Sequence, residues 1–153
     1  MSVVLARETV EAIWDECQPL AEAHHAEVGP LQPKDYKPSR LKLDALEKIG
    51  LLRVYTARDQ DVLVGYASFV LDPYHDFYLG MSWAMQSTLY VKPSHRDYSV
   101  IRFLRYQDLS LSMEGAEAIY RHAPTSNNLG RLLLHMGYRL NDRGYVRDLR
   151  EAA

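Results

Sequence analysis

Two of the chain's six histidines stand beside carboxylates at spacings that suit proton transfer. His24 and Glu27 are three residues apart, which places both on one face of a helix, where a carboxylate can orient an imidazole as a general base. His24 also falls on an apolar stripe, so a core histidine bonded to a carbonyl fits the same pattern. The segment Tyr74-His75-Asp76 offers another imidazole, in a loop, where acceptors reach a scaffold most easily. Metal chemistry is not expected: His24-His25 with Glu27 falls short of a ligand set, and the single Cys17 forms no pair. No serine sits in a Gly-x-Ser-x-Gly elbow, which leaves Ser/His/Asp nucleophilic catalysis without support.

The elements that must hold these residues are legible from periodicity. Val3 to Ala6 reads as a short strand and Thr9 as the cap of a helix, whose stripe is Val10, Ile13, Trp14, Cys17, Leu20, Ala21, His24 and Val28. Pro19 is expected to kink that helix. Gly29 to Arg40, with three prolines, reads as an irregular crossing loop, and Leu41 to Ile49 as a second helix ended by Gly50. Leu51 to Ala57 and Val62 to Leu71 flank the polar turn Arg58-Asp59-Gln60-Asp61 and predict an antiparallel hairpin. A strand from Met81 to Val91 follows, then a helix from Val100 to about Ser112, a strand from Ala116 to His122, and a helix through Leu129, Leu132, Leu133 and Met136 stopped by Gly137. Tyr138 to Asn141 and Tyr145 to Leu149 read as two closing strands. The sum is one α/β domain spanning residues 1–153, a mixed sheet of about six or seven strands with about four helices on both faces.

Composition agrees with one compact domain. The chain has 153 residues, 47% hydrophobic and 25% charged, enough to bury a core without disulfides or metals. A net charge of −2 gives no diffuse attraction to nucleic acid or anionic lipid. Neither end shows a secretory pattern, and no apolar run approaches the roughly 20 residues that span a bilayer. With one cysteine, a soluble, cytoplasmic protein is expected.

The order of elements resembles that of the GNAT N-acetyltransferases over nearly the whole chain. The strongest local likeness is LYVKPSHRDYSVIRFLRY, Leu89 to Tyr106, which is similar to the family's acyl-CoA motif, a strand ending in Val-x-Pro and then Arg-x-x-Gly-x-Gly/Ala opening a helix. NNLGRLLLHMGYRL, Asn127 to Leu140, resembles the family's last helix and closing Gly-aromatic turn. More narrowly, PLAEAHHAEV together with GLLRVYTARDQDVLVGYASFVLDPYH resembles small GNAT-like proteins of tailed phages and prophages.

This resemblance implies transfer of an acetyl group from acetyl-CoA to an amine, by direct attack on the thioester. It places the pantetheine arm along Leu89, Tyr90 and Val91, and the pyrophosphate against Arg96, Asp97, Tyr98, Ser99, Val100, Ile101 and Arg102, with Asn127 as a further contact. Physically, a tight loop entering a helix supplies converging N–H groups and the positive end of the dipole. Ser99 and Ile101 stand where the motif has small residues that let backbone approach phosphate. A GNAT fold that has lost cofactor use and acts as a binding or regulatory module therefore remains the alternative. The family's glutamate base falls near Met85 and Gln86, and its tyrosine acid near Leu133, so the expected catalytic set is His24, Glu27 and His75. Tyr138 and Tyr145 are placed to protonate a thiolate, although strand aromatics usually pack. The acceptor, a small molecule or a protein amine, is not named by the sequence; a monomer or homodimer without membrane or nucleic-acid partners is expected.

Overall fold

Val10, Ile13 and Leu20 follow Thr9 at helical spacing, and the chain turns helical there: the Thr9 hydroxyl accepts from the Ala12 amide at 3.2 Å. The computed structural model describes residues 3–28, 37–73, 80–142 and 144–145. In order these form β1 (Val4–Glu8), α1 (Val10–Val28), α2 (Arg40–Lys48), β2 (Leu52–Asp59), β3 (Val62–Asp72), β4 (Trp83–Val91), a 3-10 turn (Pro93–His95), α3 (Tyr98–Met113), β5 (Ala118–Tyr120) and α4 (Leu129–His135). Pro19 lies inside α1. Ser39 caps α2 by accepting from the Lys42 amide, and the Glu47 carboxylate of α2 reaches back to the Val10 amide at 3.1 Å, which fastens the two helices at one end.

The strands form one sheet in the order β1-β2-β3-β4-β5, antiparallel except for the last pair. Gln60 and Asp61 both take positive φ, at 48° and 66°, the paired left-handed conformation whose twist suits a two-residue hairpin turn between β2 and β3. One face buries Tyr55, Ala67, Phe69 and Ala84 against Phe103 and Leu111 of α3. The other buries Leu52 and Val54 against Val10 and Ile13 of α1, with Leu43 and Leu46 of α2 at the margin. Further along α1, Leu20 packs with Leu63, Tyr66 and Tyr90. The mixed α/β class is thus as the sequence implies.

The strand count differs. Among the described residues there are five strands, not six or seven. Tyr138 to Asn141 is not a strand, because Gly137 turns with φ of 93° and the Tyr138 amide closes α4 onto the Leu133 carbonyl at 3.0 Å. Most of Tyr145 to Leu149 lies outside the described residues. Among those described, no helix is long and apolar enough to cross a membrane.

Candidate active site

β4 and β5 pair for only three residues. Trp83, Ala84 and Met85 face Ala118, Ile119 and Tyr120, and beyond that point β4 pairs with β3 alone among the described residues. The divergence coincides with a bulge, since Thr88 pairs with Ser68 and Gln86 with Phe69, leaving Ser87 as the extra residue. A bulge bends its strand and strengthens the local twist, which turns β4 away from its neighbour. Leu89, Tyr90 and Val91 therefore carry backbone that bonds β3 on one side and, among the described residues, has no strand paired on the other, where β4 and β5 leave a gap between them. Val91 is buried and Leu89 packs beneath it on the α3 face, while Tyr90 points to the α1 face.

The loop from β4 into α3 is held by its own side chains. Arg96 donates from Nε to the Val91 carbonyl at 2.8 Å and grips both oxygens of Glu27 at 2.8 and 2.6 Å, with its guanidinium over the Tyr90 ring. Asp97 caps α3: one of its oxygens accepts from both the amide, at 2.8 Å, and the hydroxyl of Ser99, and these bonds hold its carboxyl below the usual range. The first turn of α3 thus faces a carboxylate of its own chain, where the sequence motif led us to expect phosphate. Tyr98 and Arg102 are exposed, Val100 packs toward the α3 core, and Ile101 is half-buried.

His24 and Glu27 share a face of α1 but have different partners. His24 Nδ1 hydrogen-bonds the Tyr66 hydroxyl at 2.8 Å, and its ring stacks on Tyr90 with centroids 5.2 Å apart. Burial pushes its pKa down, Arg96 and His25 add to this, and Glu27 opposes it. Glu27 is engaged by Arg96, whose bonds hold the carboxylate below its ordinary range. His75 lies outside the described residues. Asn127 uses its side-chain oxygen to accept from the Leu129 amide at 3.0 Å, at the start of α4. Cys17 is half-buried, and burial raises its thiol pKa to about 11.

Sequence reasoning missed Arg121. This side chain, just past β5, is fully buried, and it donates to Gln86 Oε1 of β4 at 3.1 Å, to Gln107 Oε1 and Asp108 Oδ1 of α3 at 2.9 and 2.6 Å, and to the Tyr138 hydroxyl at 2.9 Å. Its guanidinium also lies over Phe69. Tyr138 in turn donates to Asp108 at 2.7 Å, and burial pushes its pKa up to about 12, so its proton is held in this network. Gln86 completes the bracing by donating from Nε2 to the His122 carbonyl at 3.1 Å. The network thus ties the two strands together just where they part.

No protein-family model matches the chain, and no curated protein does. Solved structures do match. A ribosomal-protein-alanine N-acetyltransferase from Brucella melitensis biovar Abortus 2308 superposes with a TM-score of 0.68 at 19% identity, covering 97% of this chain and 99% of that one. The fold is that of the GNAT acetyltransferases. A predicted acetyltransferase from Clostridium acetobutylicum, solved with acetyl-CoA, gives 0.70 at 12% identity over 98% of both chains. An aminoglycoside acetyltransferase from an uncultured soil metagenomic sample, in complex with sisomicin, gives 0.70 at 14% identity over 95% of this chain and 93% of that one.

Proposed function

We propose that this GNAT-fold chain is an N-acyltransferase that moves an acetyl group from acetyl-CoA to an amine by direct attack on the thioester. The observation that carries the reading is the parting of β4 from β5 after Met85 and Tyr120, which leaves the backbone of Leu89, Tyr90 and Val91 facing a gap. An amide-rich arm such as pantetheine binds unpaired strand backbone as another strand would. The loop from Arg96 to Arg102 leads from that gap to the N-terminus of α3, where a pyrophosphate meets amides and the positive end of the helix dipole. The acetyl-CoA and sisomicin complexes among the similar structures support an acyl-CoA donor and an amine acceptor.

In this reading Arg96 shapes the loop, because its guanidinium joins the end of β4, the ring of Tyr90 and the carboxylate of Glu27. His24 rests on Tyr66 and Tyr90 and Glu27 is held by Arg96 at the end of β4, and with His75, which lies outside the described residues, they stay as candidates for the acceptor side of the proposal. We place the protein in the cytoplasm as a monomer or homodimer. Its sequence likeness to phage and prophage proteins points to such a source. A second reading, a binding or regulatory module without cofactor, is favoured by Asp97, whose carboxylate takes the helix terminus that phosphate needs.

Cell extract incubated with the protein and isotopically labelled acetyl-CoA, then searched by mass spectrometry for new acetylated amines, tests the enzyme reading. Labelled products that depend on the protein support it. No labelled product above a protein-free control favours the binding module.

A further inference from the structure

His122 sits two residues beyond the last β4–β5 pair, at the edge of the gap. Its backbone is fixed from two sides: the preceding Arg121 is anchored by the buried network, and its own carbonyl accepts from Gln86 Nε2. Arg121 points to the α3 face, so alternation along an extended chain turns Tyr120 and His122 to the opposite face. The edge-to-face contact of those two rings, with centroids 5.1 Å apart, agrees with this arrangement. The His122 side chain is exposed there, on the face that α1 and α2 flank.

A donor lying along β4 from the α3 terminus brings its thioester toward this point, since Val91 to Ser87 spans about 13 Å of strand. The usual base position is taken by Met85 and Gln86, neither of which accepts a proton. Among the other described histidines, His24 packs on Tyr66 and Tyr90, His25 follows it on α1, His95 is bonded to Ser94 and Asp59, and His135 lies on α4.

We infer that His122 is the general base of the acyl transfer, held at the acyl end of the gap by the Arg121–Gln86 brace. The inference rests on the acetyl-CoA reading above. Neutral imidazole takes one proton from the acceptor ammonium, and the freed lone pair forms the N–C bond to the thioester carbonyl. Collapse of the tetrahedral adduct breaks the C–S bond. The leaving thiolate takes the second nitrogen proton, and His122 returns the first to solvent, leaving amide and CoA thiol.

A thiol placed at this position tests proximity without an acceptor. In His122→Cys incubated with acetyl-CoA, the introduced thiol should be acetylated by thioester exchange at least about tenfold faster than an exposed control thiol in Lys48→Cys, because the donor is held beside it. Excess CoA should suppress the reaction, and Cys17, half-buried on α1, should remain unmodified. Catalysis is then compared with sisomicin and an alanine-ended peptide as acceptor probes. His122→Ala and His122→Gln should lose roughly two to four orders of magnitude in kcat with unchanged CoA affinity, and added imidazole should restore part of the rate to His122→Ala. Acetylation at position 122 no faster than in the control, or wild type no faster than His122→Ala with both probes, overturns the inference. Calorimetry keeps the two failures apart: if acetyl-CoA does not bind wild type, the donor reading falls first and this assignment with it.

Discussion

Arg96 and Glu27, 69 residues apart in sequence, close on each other through the two terminal guanidinium nitrogens and both carboxylate oxygens, at 2.8 and 2.6 Å. The pair ties the end of α1 to the loop that opens α3. Because both partners are partly exposed, its contribution to stability is about 1 kcal/mol or less. Glu27→Gln should lower stability by that amount near neutral pH. The carboxylate is held below its ordinary value near 4.5, so the difference between wild type and variant should be present above that pH and fade as pH falls through the lower folded value. Urea melts of both proteins across this range measure it.

His24 is predicted to matter for folding. Removing its imidazole takes away this hydrogen bond to the Tyr66 hydroxyl and the ring stacked on Tyr90, so His24→Ala should cost about 1–3 kcal/mol in denaturant melts. Burial favours the neutral ring, and the unfolded chain titrates near 6.5. The folded state therefore gains its full benefit from His24 above about pH 6.5 and loses it as pH falls through the lower folded value. A variant as stable as wild type at pH 8 contradicts this role.

The fold was largely readable from the sequence, and the side-chain bonds within the site were not. Thr9 announced α1 because a cap is a local rule, and Gly137 ended α4 by the same logic, whereas Ser39, the cap of α2, is hidden inside the stretch that reads as a crossing loop. His24 was legible as a base beside Glu27 or as a stripe residue bonded to a carbonyl, but its partner was not, since the Tyr66 hydroxyl comes from a strand 42 residues away. Arg121 gave no signal at all. One arginine within the strand expected from Ala116 to His122 reads as surface, and only tertiary packing brings Gln86, Gln107, Asp108 and Tyr138 around it.

That network supplies a prediction with a large effect. Arg121→Leu removes the donor that Gln86, Gln107, Asp108 and Tyr138 share, leaving buried polar groups unsatisfied, and should destabilise the fold by about 3–5 kcal/mol. Arg121→Lys keeps the charge but cannot reproduce the planar fork, so it should recover only part of the loss. Equilibrium unfolding of the three proteins decides it, and a fully stable lysine variant counts against the bracing role.

The start of α3 tests whether the chain's own carboxylate competes with phosphate. Asp97→Asn keeps a good cap while removing the charge, and should bind CoA more tightly than wild type. Ser99→Gly should bind at least as well as wild type, and Ser99→Glu should abolish binding while leaving the circular dichroism unchanged. Equal affinities across all four proteins, read by calorimetry, place the pyrophosphate elsewhere.

The most direct measurement is the thermal melt of the wild-type protein with acetyl-CoA. A ligand that binds only the native state stabilises it by about 2.7 kcal/mol at a hundredfold excess over Kd. The melting temperature should rise steadily with acetyl-CoA through the millimolar range, and rise more in Asp97→Asn. A melting curve unmoved by millimolar acetyl-CoA in both proteins contradicts the acyltransferase reading and leaves the binding module.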